Sequence, residues 1–272
     1  MNISCVVDNR AIFASDFYAE HGLSLFLDDG NEKILMDTGK TPTVFKHNLN
    51  LMGLSSVDKV VLSHGHYDHT GGIPALFNTG TKFFLHPDAL TPKYAVSDEN
   101  SRYIGFPKSA DPNKSGIKME FITETIKIGS NLWIFNHVDK YCDFETIPGY
   151  LSIKKNGKYL KDNFIDELNL VLKTDKGLLV LSGCAHRGIV NILYSAIEYF
   201  QDEIFGVIGG SHLFGATLQR IEKTVDEFKK IDPGLIALGH CTGFDALCIF
   251  NKEFNDIFIP LESGQKLWDL ND

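Results

Sequence analysis

Four groups able to bind a metal ion fall within six residues of this chain, in the run Ser63-His64-Gly65-His66-Tyr67-Asp68-His69-Thr70-Gly71-Gly72. His64 and His66 are two apart, so at the end of an extended strand both imidazoles project to the same side. Asp68 and His69 follow in the turn, and Thr70-Gly71-Gly72 is expected to let the chain bend tightly into the next helix. Imidazoles with one carboxylate suit zinc, iron, manganese or magnesium. Two ions would use all four groups more comfortably than one. The chemistry of such a centre is Lewis-acid chemistry: polarising a phosphoryl or carbonyl oxygen and lowering the pKa of a bound water. Asp68 could both ligate and orient or deprotonate that water.

The elements that must position these groups can be read from the hydrophobic pattern. Gly22-Leu-Ser-Leu-Phe-Leu-Asp28 and Lys33-Ile-Leu-Met-Asp37, separated by turn residues, form a hairpin signal. Residues Thr43 to Met52 carry apolar groups at helical spacing, closed by Gly53. The buried strand Val57-Asp-Lys-Val-Val-Leu62 runs directly into the histidine cluster, and Lys82 to His86 is another strand. About residues 91–165 read as an inserted segment over the active site, rich in prolines (Pro92, Pro107, Pro112, Pro148) and with only short strand-like runs. Regular structure then resumes: a hairpin over Leu168–Thr174 and Gly177–Ser182, a helix over Ile189–Phe200, a strand over Ile204–Ile208, a helix over Leu218–Ile231 and a strand over Gly234–Leu238. This alternation is an α/β pattern, expected as one domain over residues 1–272.

Composition narrows the class of protein. The 272 residues, 43% of them hydrophobic, suffice for one large core. A net charge of -9 argues against nucleic acid as a partner, although a bound metal could still recruit a small anion. No apolar run approaches the roughly 20 residues of a membrane span. The first residues show no basic stretch followed by an apolar one, so a cytoplasmic setting is expected. Cys5, Cys142, Cys184, Cys241 and Cys248 are scattered and include no CxxC pair, which suits a reducing compartment and offers no iron–sulfur or four-cysteine zinc motif.

The HxHxDH run after a buried strand, with Asp37-Thr38-Gly39 upstream, resembles the metallo-β-lactamase superfamily. The resemblance implies an αββα sandwich. Three later segments are similar to one branch of it: Leu181-Ser-Gly-Cys-Ala-His186-Arg-Gly-Ile-Val-Asn191, Val207-Ile-Gly-Gly-Ser-His212-Leu213 and Leu238-Gly-His240-Cys-Thr-Gly243. Glu20-His21-Gly22-Leu23-Ser24, Arg102, Gly105 and Pro107 fit as well. That branch contains the dihydropterin-ribofuranosylaminobenzene phosphate synthases and many metallo-hydrolases. By this resemblance His64, His66 and His186 ligate a first metal, Asp68, His69 and His240 a second, and Asp37 supports the site from behind. The superfamily usually supplies a bridging aspartate where Cys184 stands here. Cys184 as thiolate, Asp166, Glu167 or a bridging hydroxide alone are the alternatives. His212, His21, Arg187, Thr242 and Arg102 are expected around the substrate.

Two reactions follow from the resemblance. One is a synthase-like condensation of a pterin pyrophosphate with an aminobenzene ribosyl phosphate, releasing pyrophosphate. The other is hydrolysis of a phosphoester or lactone by metal-bound hydroxide. Stacking of a pterin on Tyr103, Phe106, Tyr141 or Phe144 would favour the first. A third reading, a redox or sensor protein, lacks cysteine clusters or an attached redox module. The expected partners are one or two divalent ions, zinc foremost, and a small phosphorylated molecule.

Overall fold

The chain opens with strands β1 (Asn2–Val7), β2 (Ser24–Asp28) and β3 (Lys33–Met36), then helix α1 (Pro42–Leu51) and strands β4 (Lys59–Val61) and β5 (Lys82–Leu85). Strands β6 (Lys93–Val96), β7 (Ser101–Tyr103), β8 (Lys118–Phe121), β9 (Ile126–Lys127), β10 (Leu132–Phe135), β11 (Leu151–Lys155) and β12 (Lys158–Lys161) follow. Next come β13 (Asn169–Thr174), β14 (Gly177–Ser182), α2 (Ile189–Phe200), β15 (Ile204–Gly209), α3 (Leu218–Ile231) and β16 (Leu235–Leu238). Helix α4 (Phe244–Glu253) and strands β17 (Phe258–Pro260) and β18 (Lys266–Asp269) complete it. This computed structural model describes residues 2–110 and 117–269, so Pro112 of the expected insertion lies outside the described residues.

The chain divides into two compact units. The first comprises Met1–Thr123, Ile147–Asp166 and Glu262–Asp272. It is built on a sheet in the order β18-β1-β2-β3-β4-β5-β8, in which β3, β4, β5 and β8 run parallel. Parallel strands buried on both faces are expected to be continuously apolar, and β3 and β4 are, with Ile34, Leu35, Met36, Val60 and Val61 all inaccessible. Helix α1 starts where Thr41 caps the Val44 amide and Pro42 takes the first turn. Phe45 and Leu49, four apart, enter the core with Val60, Phe83 and Leu85. Asn48 is buried between them, its amide donating to the carbonyls of Val6 and Tyr18 and its oxygen accepting from the Tyr18 amide. It fastens the loop after β1 to the helix.

The expected insertion is more ordered than its prolines suggested. Most of it belongs to the first unit, where β12-β11-β6-β7 pair as a four-stranded antiparallel sheet. Glu124–Thr146 belongs to the second unit. The short, polar strands of this small sheet carry little hydrophobic periodicity, and their pairing is made over long sequence separations.

The second unit contains Glu124–Thr146 and Glu167–Leu261. Its sheet runs β17-β16-β15-β14-β13-β10-β9, with β14 to β17 mutually parallel. Every residue of β14 is buried, as a strand inside a sheet covered by helices requires. Helix α3 buries Ile221, Thr224, Val225 and Phe228, the spacing of one helical face. It is capped by the Thr217 hydroxyl, which accepts from the Arg220 amide. Helix α2 is buried along most of its length, and its start is secured from outside the helix. The Glu145 carboxylate accepts from the amides of Val190 (3.0 Å) and Asn191 (2.8 Å), two donors with no partner inside the helix.

Burial pushes the Glu145 carboxyl up to about 7, while those two amides pull it down. A carboxyl raised in the folded state stabilises fully below its ordinary value of 4.5, and that contribution is lost as pH climbs through about 7. Urea unfolding across this window is therefore expected to lose up to roughly 3 kcal/mol that Glu145→Gln retains. Parallel pH profiles for the two proteins would contradict this.

Candidate metal centre

In the first unit the histidine loop hangs on one carboxylate. Asp37 follows β3 directly and is inaccessible to solvent. Its Oδ1 accepts from the Ser63 amide at 2.7 Å, and its Oδ2 from the Ser63 hydroxyl and His69 Nδ1, both at 2.6 Å. With its own proton given to Asp37, the Ser63 hydroxyl accepts from His64 Nδ1 at 2.9 Å. Both imidazoles thus carry their proton on Nδ1 and present Nε2 as a lone-pair donor. His64 Nε2 lies 3.0 Å from His66 Nδ1. That is close to the roughly 3.3 Å between two nitrogens sharing a tetrahedral zinc at about 2.0 Å. His69 Nε2 lies 3.9 Å from Asp68 Oδ2. The donor set is therefore three buried imidazoles, two of them with tautomers fixed from behind, and a buried carboxylate, and it fits a divalent ion of the zinc type.

The backbone is fastened as closely as the side chains. The Thr38 amide and hydroxyl both donate to the His69 carbonyl, at 2.8 and 3.0 Å. Gly71 and Gly72 were expected as bending residues, yet both have ordinary helical φ (-71° and -78°). What demands glycine there is proximity: a Cβ on Gly71 would sit 1.8 Å from the Lys40 carbonyl oxygen, and one on Gly72 2.0 Å from that of Thr38.

A buried ion triad holds the other side of the loop. Lys93 Nζ, on β6, pairs with Asp162 (2.6 Å) and Asp166 (2.9 Å). Asp166 spends its second oxygen on the Gly65 amide, between His64 and His66, at 2.9 Å. Phe164, between the two aspartates, lies under the Lys93 ammonium (4.9 Å) and presents its ring edge-on to His66, with centroids 5.4 Å apart. Burial alone would lower the lysine pKa, but Asp166 and Asp162 raise it above the ordinary value. Neither the lysine nor Phe164 stood out in the sequence, because the three charges are separated by up to 73 positions.

The second unit carries its candidate groups on loops leaving the parallel strands β14, β15 and β16, where ligands gather in α/β sheets. Glu167 accepts from the amides of His186 (2.5 Å) and Arg187 (3.1 Å). All four carboxylate oxygens of Asp166 and Glu167, alternatives to Cys184 as a bridging group, thus hold backbone or lysine. Ala185, His212 and His240 adopt φ of 56°, 48° and 51°, a region non-glycine residues seldom enter. The His186 and His212 rings lie 4.2 Å apart. Cys184, His212 and Cys241 each offer a donor atom, all within 4.8 Å of one another. Burial raises the Cys241 thiol, but hydrogen bonds with Cys184 and His212 and the nearby His240 hold it well below the ordinary thiol range. Cys241 belongs to no ligand motif of its own in the sequence; its position beside His240 is the available signal.

The remaining expected residues fall out as follows. His21 Nε2 lies 3.2 Å from Asp68 Oδ2, with its side chain half exposed. Arg102 is exposed and reaches the Tyr67 hydroxyl at 3.4 Å. Arg187 directs its guanidinium to the carbonyls of Asn136 and Val138, and Thr242 Oγ1 accepts from the Ser211 amide and hydroxyl. His86, just after β5 and without an expected role, accepts from the Asp88 amide through Nδ1 as a turn cap. Of the aromatics, Phe106 is buried in the first unit's core and Phe144 packs on that of the second, whereas Tyr103 and Tyr141 remain partly exposed.

A sequence profile of the metallo-beta-lactamase superfamily matches residues 18–139. The chain is also 31% identical, over 97% of its length and 95% of the relative's, to the 7,8-dihydropterin-6-methyl-4-(beta-D-ribofuranosyl)-aminobenzene-5'-phosphate synthase of Methanocaldococcus jannaschii. It belongs to the metallo-β-lactamase superfamily and is a metal-dependent enzyme of the α/β fold expected from its sequence. An uncharacterised protein of the same organism is 34% identical over 94% of this chain and 96% of its own. A solved metal-dependent hydrolase of the β-lactamase superfamily is 33% identical, covers 99% of both chains and superposes with a TM-score of 0.87. Zn(2+)-bound PqqB from Methylobacterium extorquens, 11% identical with a TM-score of 0.61 over 99% of this chain and 100% of its own, shares the fold. Among the described residues no helix is long and apolar enough to cross a membrane.

Two variants test the supports behind the candidate ligands. Asp37→Asn is expected to weaken zinc binding about 10- to 100-fold in a chelator competition, with little change in circular dichroism. Lys93→Met, which leaves two carboxylates buried together, is expected to cost about 3–5 kcal/mol in urea unfolding. Wild-type zinc affinity in the first, or wild-type stability in the second, would contradict the roles assigned.

Proposed function

We propose that the chain joins a dihydropterin methyl pyrophosphate to an aminobenzene ribosyl phosphate, releasing pyrophosphate. One or two divalent ions, zinc foremost, would be held by His64, His66, Asp68, His69, His186 and His240. The observation that carries this reading is the similarity to the M. jannaschii synthase over 97% of this chain and 95% of that protein. In the reaction a C–O bond between the pterin methylene and pyrophosphate breaks, a C–N bond to the arylamine forms, and the amine loses a proton. Bound metal would offset the charge that develops on the leaving pyrophosphate.

The chain's own residues supply the rest. Asp68, with His21 at 3.2 Å and half exposed, is placed to take the amine proton and pass it toward solvent. Arg102, exposed and free of carboxylate partners among the described residues, is suited to a substrate phosphate. Arg187 serves the loop instead, since its guanidinium is occupied by backbone carbonyls. The cytoplasm suits a protein with five free cysteines.

A second reading, hydrolysis of a phosphoester or lactone, is favoured by the 33% identity to the solved metal-dependent hydrolase. The two separate in one assay on metal-loaded protein, with the pterin pyrophosphate and the arylamine supplied singly and together. Pyrophosphate release only with both present is expected; release from the pterin pyrophosphate alone would favour hydrolysis. Asp68→Asn is expected to lower the rate about 100- to 10,000-fold and to lose metal. Full turnover by that variant in a demonstrably metal-free state would overturn both readings.

A further inference from the structure

We infer that Cys184, His212 and Cys241 form a second kind of metal site in the second unit, selective for a thiophilic cation such as zinc, cadmium or copper(I). The two sulfurs and an imidazole nitrogen lie within 4.8 Å of one another. In a tetrahedral complex with bonds of about 2.3 Å, two thiolates stand about 3.8 Å apart, so the groups need close by only about an ångström. Two sulfur donors favour soft ions such as cadmium and copper(I) more strongly than the imidazole and carboxylate set around His64 does, although zinc suits both. Three protein donors also leave a coordination position open, as in sites that bind water or a substrate atom.

The three groups come from three separate loops, and the backbone ties those loops together. The Gly210 amide donates to the Gly183 carbonyl at 3.0 Å, the Gly239 amide to that of Gly209 at 3.0 Å, and the Phe214 amide to that of Cys241 at 2.9 Å. The Ser182 hydroxyl adds a bond to the Gly210 carbonyl at 2.7 Å. Gly210 has no room for a side chain: a Cβ would lie 2.5 Å from the Gly183 oxygen and 2.6 Å from Cys241 Sγ. His212 holds a left-handed φ of 48° that aims its ring at this cluster. Its Nδ1 is buried with no hydrogen-bond partner among the described residues. Cys184 itself is buried.

Cys184 is also one of the candidate bridging groups of the histidine centre, so the test separates the two sites through Cys241 and His212. Reduced full-length protein carrying Cys248→Ser, which removes the exposed thiol, is titrated with cadmium while thiolate-to-cadmium charge-transfer absorption is followed. One equivalent is expected to produce the band. Cys184→Ser and Cys241→Ser should each abolish it or weaken cadmium binding by more than about 100-fold, with circular dichroism unchanged. His212→Ala should weaken it independently of either sulfur. His66→Ala should leave the band intact, even where it strips metal from the histidine cluster. Absence of the band in the parent protein, its persistence in either serine variant, or a Cys184–Cys241 disulfide in place of cadmium binding would overturn the assignment.

Discussion

The geometry of the histidine loop depends on a single buried carboxylate. Asp37 receives three hydrogen bonds at 2.6–2.7 Å, from the Ser63 amide, the Ser63 hydroxyl and His69 Nδ1. A carboxylate without solvent is costly unless its lone pairs are met, and here they are met by the groups whose orientation matters. Through Ser63 the same carboxyl group fixes His64, so one side chain sets the tautomers of two imidazoles. Lys93, Asp162 and Asp166 play a matching part at Gly65. The loop between these two anchors has little freedom left to lose when a metal binds.

Parallel strands explain why the chemistry gathers where it does. Asp37 follows β3 and Ser63–His64 follows β4, while Cys184–His186, His212 and His240 follow β14, β15 and β16. At such ends the backbone leaves the sheet and must turn without ladder partners. Several residues do so in the left-handed region: Asp37, Ala185, His212 and His240. Each conformation is unfavourable by itself and persists because neighbouring hydrogen bonds dictate it.

Much of this was legible in the sequence. The HxHxDH spacing marked the loop of candidate ligands, and the apolar runs gave β14, α2 and α3 almost to the residue, because burial there is periodic or continuous. What escaped was fixed by contacts distant in sequence. β1 pairs with β18, the sheet of β6, β7, β11 and β12 carries little apolar pattern, and α4 begins after a glycine with no capping side chain. The Lys93 triad and the approach of Cys241 to Cys184 belong to the same class: ordinary residues whose meaning arises only from folding. Gly71 and Gly72 show a subtler limit, since their type was informative but the reason was close packing and not backbone turning.

The function proposed for this protein depends on metal ligation by His64, His66, Asp68 and His69, with Asp37 holding the loop in place. Anomalous diffraction from crystals of zinc-loaded protein, recorded at the zinc edge, tests it most directly. An anomalous peak is expected at bonding distance from His64 Nε2 and His66 Nδ1. Fully loaded crystals with no peak at these side chains would contradict it.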